Sequence, residues 1–160
     1  MIKISVICVG KIKEKYWNSA LDEYIKRLSR YCKLEIIEVS DEKTPENAPP
    51  AIEDMIKQKE AQRILKYVNE QAKVYVLAIE GKKLDSVSFS KRIQMDGVNG
   101  ESNLQFIIGG SLGLDKSVYD KASELISFSD MTFPHQLMRV ILLEQIYRGY
   151  RIMNGEPYHK

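Results

Sequence analysis

The chain ends Asn154-Gly155-Glu156-Pro157-Tyr158-His159-Lys160, which sets three kinds of chemistry side by side. A tyrosine ring stacks on a base, an imidazole exchanges a proton near neutral pH, and a lysine meets a phosphate. Upstream, Glu144, Arg148 and Arg151 project within about 60° of one another on a helix of about 3.6 residues per turn, so one face carries all three charges. Glu144 and Arg148 are also spaced i,i+4, which alone is an ordinary helix ion pair worth roughly 0.2–0.5 kcal/mol. A second set of candidates is backbone in character. The turn Ile107-Ile108-Gly109-Gly110-Ser111-Leu112-Gly113 lets a ligand approach main-chain N–H and C=O groups. The stretches Val76–Gly81 and Phe128–Phe133 are further apolar strands that break into polar loops. Three such loops make an apolar slot edged with free backbone groups, which suits adenine. The first strand is followed by a single Gly10 and not by G-x-G-x-x-G, so the dinucleotide fingerprint is absent.

These residues need a frame. Apolar alternation and β-branched runs predict strands at Ile2–Val9, Leu34–Val39, Lys73–Ile79, Leu104–Ile108 and Leu125–Ser129, the third ended by a turn at Glu80-Gly81-Lys82. Helical spacing predicts helices at Glu14–Tyr31, Ala51–Val68, Ser86–Met95 and Asp115–Glu124. A long final helix follows, with Pro134 as its first residue and its end before Asn154-Gly155. Strict alternation of strand and helix implies an α/β fold, a mainly parallel sheet with helices on both faces. Ligands in such sheets bind beyond the C-terminal strand ends, where the candidate loops lie. The final helix is apolar around most of its circumference and must be buried on more than one side. In so small a domain, packing against a second copy is the simplest solution.

Length and composition narrow the function classes. A chain of 160 residues with 44% hydrophobic and 29% charged side chains is expected to be one domain spanning residues 1–160. The net charge of +2 argues against a basic nucleic-acid tail and against an acidic disordered chain. It is uneven, at +4 over residues 1–35, −3 over 36–70, −1 over 71–130 and +2 over 131–160. If the fold joins the two ends, they make one modest positive patch suited to a polyanion. No run approaches the roughly 20 apolar residues of a membrane span, and the first strand lacks a signal-peptide cleavage site, so a cytoplasmic location is expected. Cys8 and Cys32 are read as reduced thiols; no metal-ligand spacing is present, so no metal is expected.

Taken together, Phe106–Leu114, Ser127–Ile152 and Asn154–Lys160, with the opening strand followed by Gly-Lys-x-Lys-Glu, strongly resemble the bacterial RlmH family. Members of that family methylate N3 of a pseudouridine in 23S ribosomal RNA and belong to the SPOUT class of α/β-knot methyltransferases. The resemblance covers essentially the whole chain and implies a C-terminal trefoil knot, an obligate homodimer and S-adenosylmethionine as methyl donor. Carried over by motif, the cofactor contacts would be Leu77, Gly109 and the loop of Phe128, Ser129, Asp130, Met131, Thr132 and Phe133. These are the three strand ends already marked by their own composition.

For such a reaction the N3 proton must be lost. His159 is the candidate proton acceptor, and Arg148 the alternative, stabilising negative charge on the uracil oxygens. Tyr158 and Lys160 would hold the nucleotide and its phosphate, and Glu144 completes the set on the helix face. The resemblance further implies a composite site, with cofactor loops from one subunit and the tail from the other. The resemblance implies 23S ribosomal RNA as the substrate, and the small charge, with a length that leaves no room for an appended RNA-recognition domain, points to its assembled form in the 70S ribosome or the large subunit. Two other readings stay open: a different SPOUT activity such as ribose 2′-O methylation of tRNA, and a non-catalytic dimeric RNA-binding protein. The position of the methyl group separates the first, and binding of S-adenosylmethionine separates the second.

Overall fold

A computed structural model describes all 160 residues. Strands β1 (Lys3–Val9), β2 (Lys33–Val39), β3 (Lys73–Lys83), β4 (Asn103–Ile108) and β5 (Glu124–Ser127) alternate with helices α1 (Lys15–Leu28), α2 (Pro50–Leu65), α3 (Ser86–Val98), α4 (Lys116–Tyr119) and α5 (His135–Met153). The strands form one sheet in the order β2-β1-β4-β3-β5, and every pairing is parallel. Side chains alternate across it with period two. On β1, Ile4, Val6 and Cys8 face a core shared with α1, α3 and α5, while Ile7 and Val9 face a second core under α2 and α4. The expected α/β architecture with helices on both faces is therefore present. Cys8 and Cys32 are buried free thiols, and burial pushes each up to about 11.

Several local expectations change. The third strand does not end at Glu80-Gly81-Lys82. Leu77 and Lys82 both pair with Ile126, so the intervening residues bulge out and the strand resumes beside β5. Gly81 permits this: a Cβ there would lie 2.7 Å from the Ile126 backbone. The fourth helix is a single turn, because Ser123 is already committed to β3 through its N–H and its Oγ, both bonded to Val74. Pro134 caps α5 from just outside and is not its first helical residue. Within the chain α1 and α3 pack on α5 and bury Leu142, Leu143, Ile146 and Tyr150, while Leu137, Val140, Ile141, Ile152 and Met153 stay partly exposed. The positive ends do meet: Arg27 of α1 sits over the Tyr147 ring of α5, and Tyr31 donates to Glu156 of the tail.

Candidate functional site

β1 and β4 are neighbours, yet the chain leaves them towards opposite faces and opposite edges of the sheet. Such a divergence opens a crevice at the C-terminal strand ends. A cavity of about 760 Å³ lies at that end of the sheet, within the roughly 300–1,000 Å³ typical of small-molecule sites. Its first wall is the bulge of β3, with Leu77, Ala78, Ile79 and Glu80. Its second is the glycine turn after β4, including Gly109 and Gly110. The third is the connection from β5 to α5, with Phe128, Ser129, Met131, Thr132 and Phe133.

The walls are held from behind. A Cβ on Gly109 would come within 2.8 Å of Leu114 Cγ, so something must shift to admit one, and a Cβ on Gly110 would fit only tightly, 3.2 Å from Val9 Cγ1. Behind Gly110 lies Glu60, nearly buried, whose Oε2 accepts from the Glu42 N–H at 2.9 Å. Burial pushes the Glu60 carboxyl above its usual range. In the third wall Ser129 Oγ accepts from the Met131 N–H at 2.9 Å, and the Phe128 ring meets Phe89 edge-on at 5.5 Å. Asp130 is the one candidate in this loop that does not line the cavity; it pairs with Lys83 on the exposed side.

Arg139 and His135 were not singled out by sequence reasoning. Arg139 is fully buried. It donates to Glu38 at 2.7 Å and to the carbonyls of Val9 and Gly10 at 2.9 and 2.8 Å, tying the end of β1 to α5. It also contacts His135 Nδ1 at 3.1 Å. A guanidinium only donates, so Nδ1 accepts and the ring proton sits on Nε2. His135 lines the cavity, and burial, then the Arg139 charge, holds its pKa below the usual imidazole range. The available signal was a lone arginine within the apolar run Leu137–Leu143.

The remaining candidates form a separate cluster. Arg148 donates twice to Glu144 Oε1, at 3.0 and 2.6 Å, and contacts His159 Nδ1 at 3.2 Å. The Tyr158 hydroxyl donates to the same Glu144 oxygen at 3.2 Å, and the Arg148 guanidinium lies 4.7 Å from its ring centre. Burial and the Glu144 carboxylate push the Tyr158 hydroxyl up to about 12. Arg151 pairs with Glu156 and donates to the Pro157 carbonyl, so the tail is folded against α5. Lys160 is exposed at the chain end. None of Glu144, Arg148, Tyr158, His159 or Lys160 lines the cavity. Arg148 lies about 15 Å further along α5 than the cavity residue Met138, at about 1.5 Å per residue.

No group of His, Cys, Asp or Glu is arranged to hold a metal ion, and no helix is long and apolar enough to cross a membrane. The cavity is walled mainly by glycine backbone and apolar loops, a lining that fits a flat ring system. Residues 2–159 match the family model described as "Predicted SPOUT methyltransferase". The protein called ribosomal RNA large subunit methyltransferase H in Bifidobacterium adolescentis is 59% identical over 159 residues, 99% of this chain and 100% of the relative. The proteins of that name in Clostridium kluyveri and Enterococcus faecalis are each 56% identical over the same shares. With the match running from β1 through the cavity walls to the tail, the chain belongs to the SPOUT methyltransferase family.

Proposed function

We propose that this methyltransferase acts on N3 of a pseudouridine in 23S ribosomal RNA, as a homodimer in the cytoplasm, with S-adenosylmethionine as donor and the assembled ribosome or its large subunit as substrate. The observation that carries this reading is 56–59% identity, along the full chain, to relatives named for methylating large-subunit ribosomal RNA. Leu77, Gly109, Phe128, Ser129, Met131, Thr132 and Phe133 would hold the cofactor; Asp130, paired with Lys83, would fix the loop from outside. The bound cofactor supplies an electrophilic methyl group on a sulfonium. The cavity walls exclude water and orient the donor. The return of α5 from the β5 edge to contact Val9 at the end of β1 and Gly10 just beyond it supports a C-terminal trefoil knot.

That none of Glu144, Arg148, Tyr158, His159 and Lys160 lines the cavity of its own chain supports a composite site, in which the tail of one subunit serves the cavity of the other. His159 then takes the N3 proton, or Arg148 stabilises the uracil anion, with Tyr158 and Lys160 holding the nucleotide. The Glu144 carboxylate, shared by Arg148 and Tyr158, fixes both donors on one side. A net charge of +2 supports a shaped ribosomal target over free RNA. The test is mass spectrometry of ribosomal RNA from cells lacking the gene, before and after adding the protein and S-adenosylmethionine. One new base methyl in 23S RNA is expected; a ribose methyl, or methylation of tRNA alone, would overturn the reading.

A further inference from the structure

The segment Gly10-Lys11-Ile12-Lys13-Glu14-Lys15-Tyr16-Trp17 belongs to neither the cavity lining nor the tail cluster. Lys11, Lys13, Lys15 and Tyr16 are all exposed. Lys11, Lys13 and Lys15 pair with no carboxylate, as most lysines of the chain do not; what sets them apart is that all three fall within five residues beside an exposed aromatic ring. Tyr16 is 67% exposed, with its ring centre 5.3 Å from that of Trp17, which itself packs on the core.

The base of this patch is fixed. Ile12 is 4% exposed, its N–H donates to Glu38 at 3.0 Å, and its carbonyl accepts from Asn18 at 3.3 Å. Glu38 is in turn held by the buried Arg139. Charges on a rigid base bind with less loss of freedom than charges on a mobile loop. The patch also adjoins the mouth of the cavity. It follows β1, across the crevice from the glycine turn that follows β4, and a Cβ on Gly10 would lie 3.3 Å from the cavity residue His135.

We propose that Lys11, Lys13, Lys15 and Tyr16 form a landing platform for the RNA strand that carries the reactive base, the ammonium groups on phosphates and the Tyr16 ring on a neighbouring base. This rests on the RNA-methyltransferase reading above. Unpaired cations interleaved with an exposed aromatic ring match a polynucleotide, whose backbone offers regular negative charge and whose bases offer flat faces.

The test compares the full-length protein with two triple variants, Lys11→Gln/Lys13→Gln/Lys15→Gln and the corresponding Lys→Arg set, on large ribosomal subunits from a strain lacking the modification. For the Gln set the expected result is an apparent KM for the subunit raised about tenfold, with kcat within about twofold. The slope of log affinity against log salt, read from equilibrium binding, should become shallower by about 2, while S-adenosylmethionine binding and melting temperature stay at wild type. The Arg set should restore both KM and slope. An unchanged salt slope in the Gln set overturns the platform, and so does a changed sedimentation mass, which would make the surface an interface between copies. If the wild type binds subunits but transfers no methyl group, the functional reading falls while the salt slope still decides the platform.

Discussion

The cavity and the tail cluster are built in different ways. The cavity is made of backbone and apolar walls, braced by tight glycine contacts and by the fully buried Arg139. The tail cluster is made of side chains on a helix surface, where Glu144, Arg148, Tyr158 and His159 hold one another. A braced pocket suits a ligand that must be held in one pose. A surface cluster of charge and aromatic rings suits a large substrate that arrives from outside. On one chain they are separate, since no residue of the tail cluster lines the cavity; the composite site proposed above has a second copy bring them together.

The contrast can be broken at either end. Truncation after Gly155 should lower methyl transfer by about 10²–10⁴-fold, the range of a lost acid–base group, while calorimetry finds S-adenosylmethionine affinity unchanged. A truncated chain with full activity would remove the tail from the mechanism. Arg139→Met should act on the other region. It leaves the partly exposed Glu38 carboxylate with the Ile12 N–H alone and removes the Arg139 donor from the Val9 and Gly10 carbonyls, at a cost of about 3 kcal/mol in denaturant unfolding.

Smaller effects sharpen the same division. Gly109→Ala places a Cβ 2.8 Å from Leu114 Cγ. The glycine turn must shift, and cofactor affinity should fall by about tenfold while the tail contacts stay intact by NMR. The smallest effect concerns Glu60, whose folded pKa is raised by burial. The folded state then holds that proton more readily than the unfolded chain, so stability falls as pH rises through the Glu60 range. Glu60→Gln should flatten this decline above the ordinary glutamate range and melt slightly higher than wild type at neutral pH.

The sheet was largely legible because its signal is local. Alternation of Ile4, Val6 and Cys8 against Ile7 and Val9 is a period-two pattern that needs no knowledge of neighbours. The order β2-β1-β4-β3-β5 was not legible, since it depends on which strands meet. The bulge of β3 was hidden for the same reason: only the backbone of Ile126, far along the chain, explains why Gly81 must be glycine. At the site, the three strand-end segments that line the cavity could be marked from their own composition, while Leu77, Gly109 and Phe128 within them were singled out by the family resemblance. Arg139 was missed because an arginine in a sequence says nothing about burial until its acceptors, the Val9 and Gly10 carbonyls, are seen around it.

The most direct test of the composite site is complementation. A Gly109→Val chain, with its cavity blocked, and a chain truncated after Gly155 should each be inactive in methylating large ribosomal subunits. In a purified mixed dimer one site combines both defects, while the other joins an intact cavity to an intact tail. The account predicts that this mixed dimer recovers about half of the wild-type rate, as one working site in two requires. A mixed dimer as inactive as its parents would contradict it and place cavity and tail chemistry within a single chain.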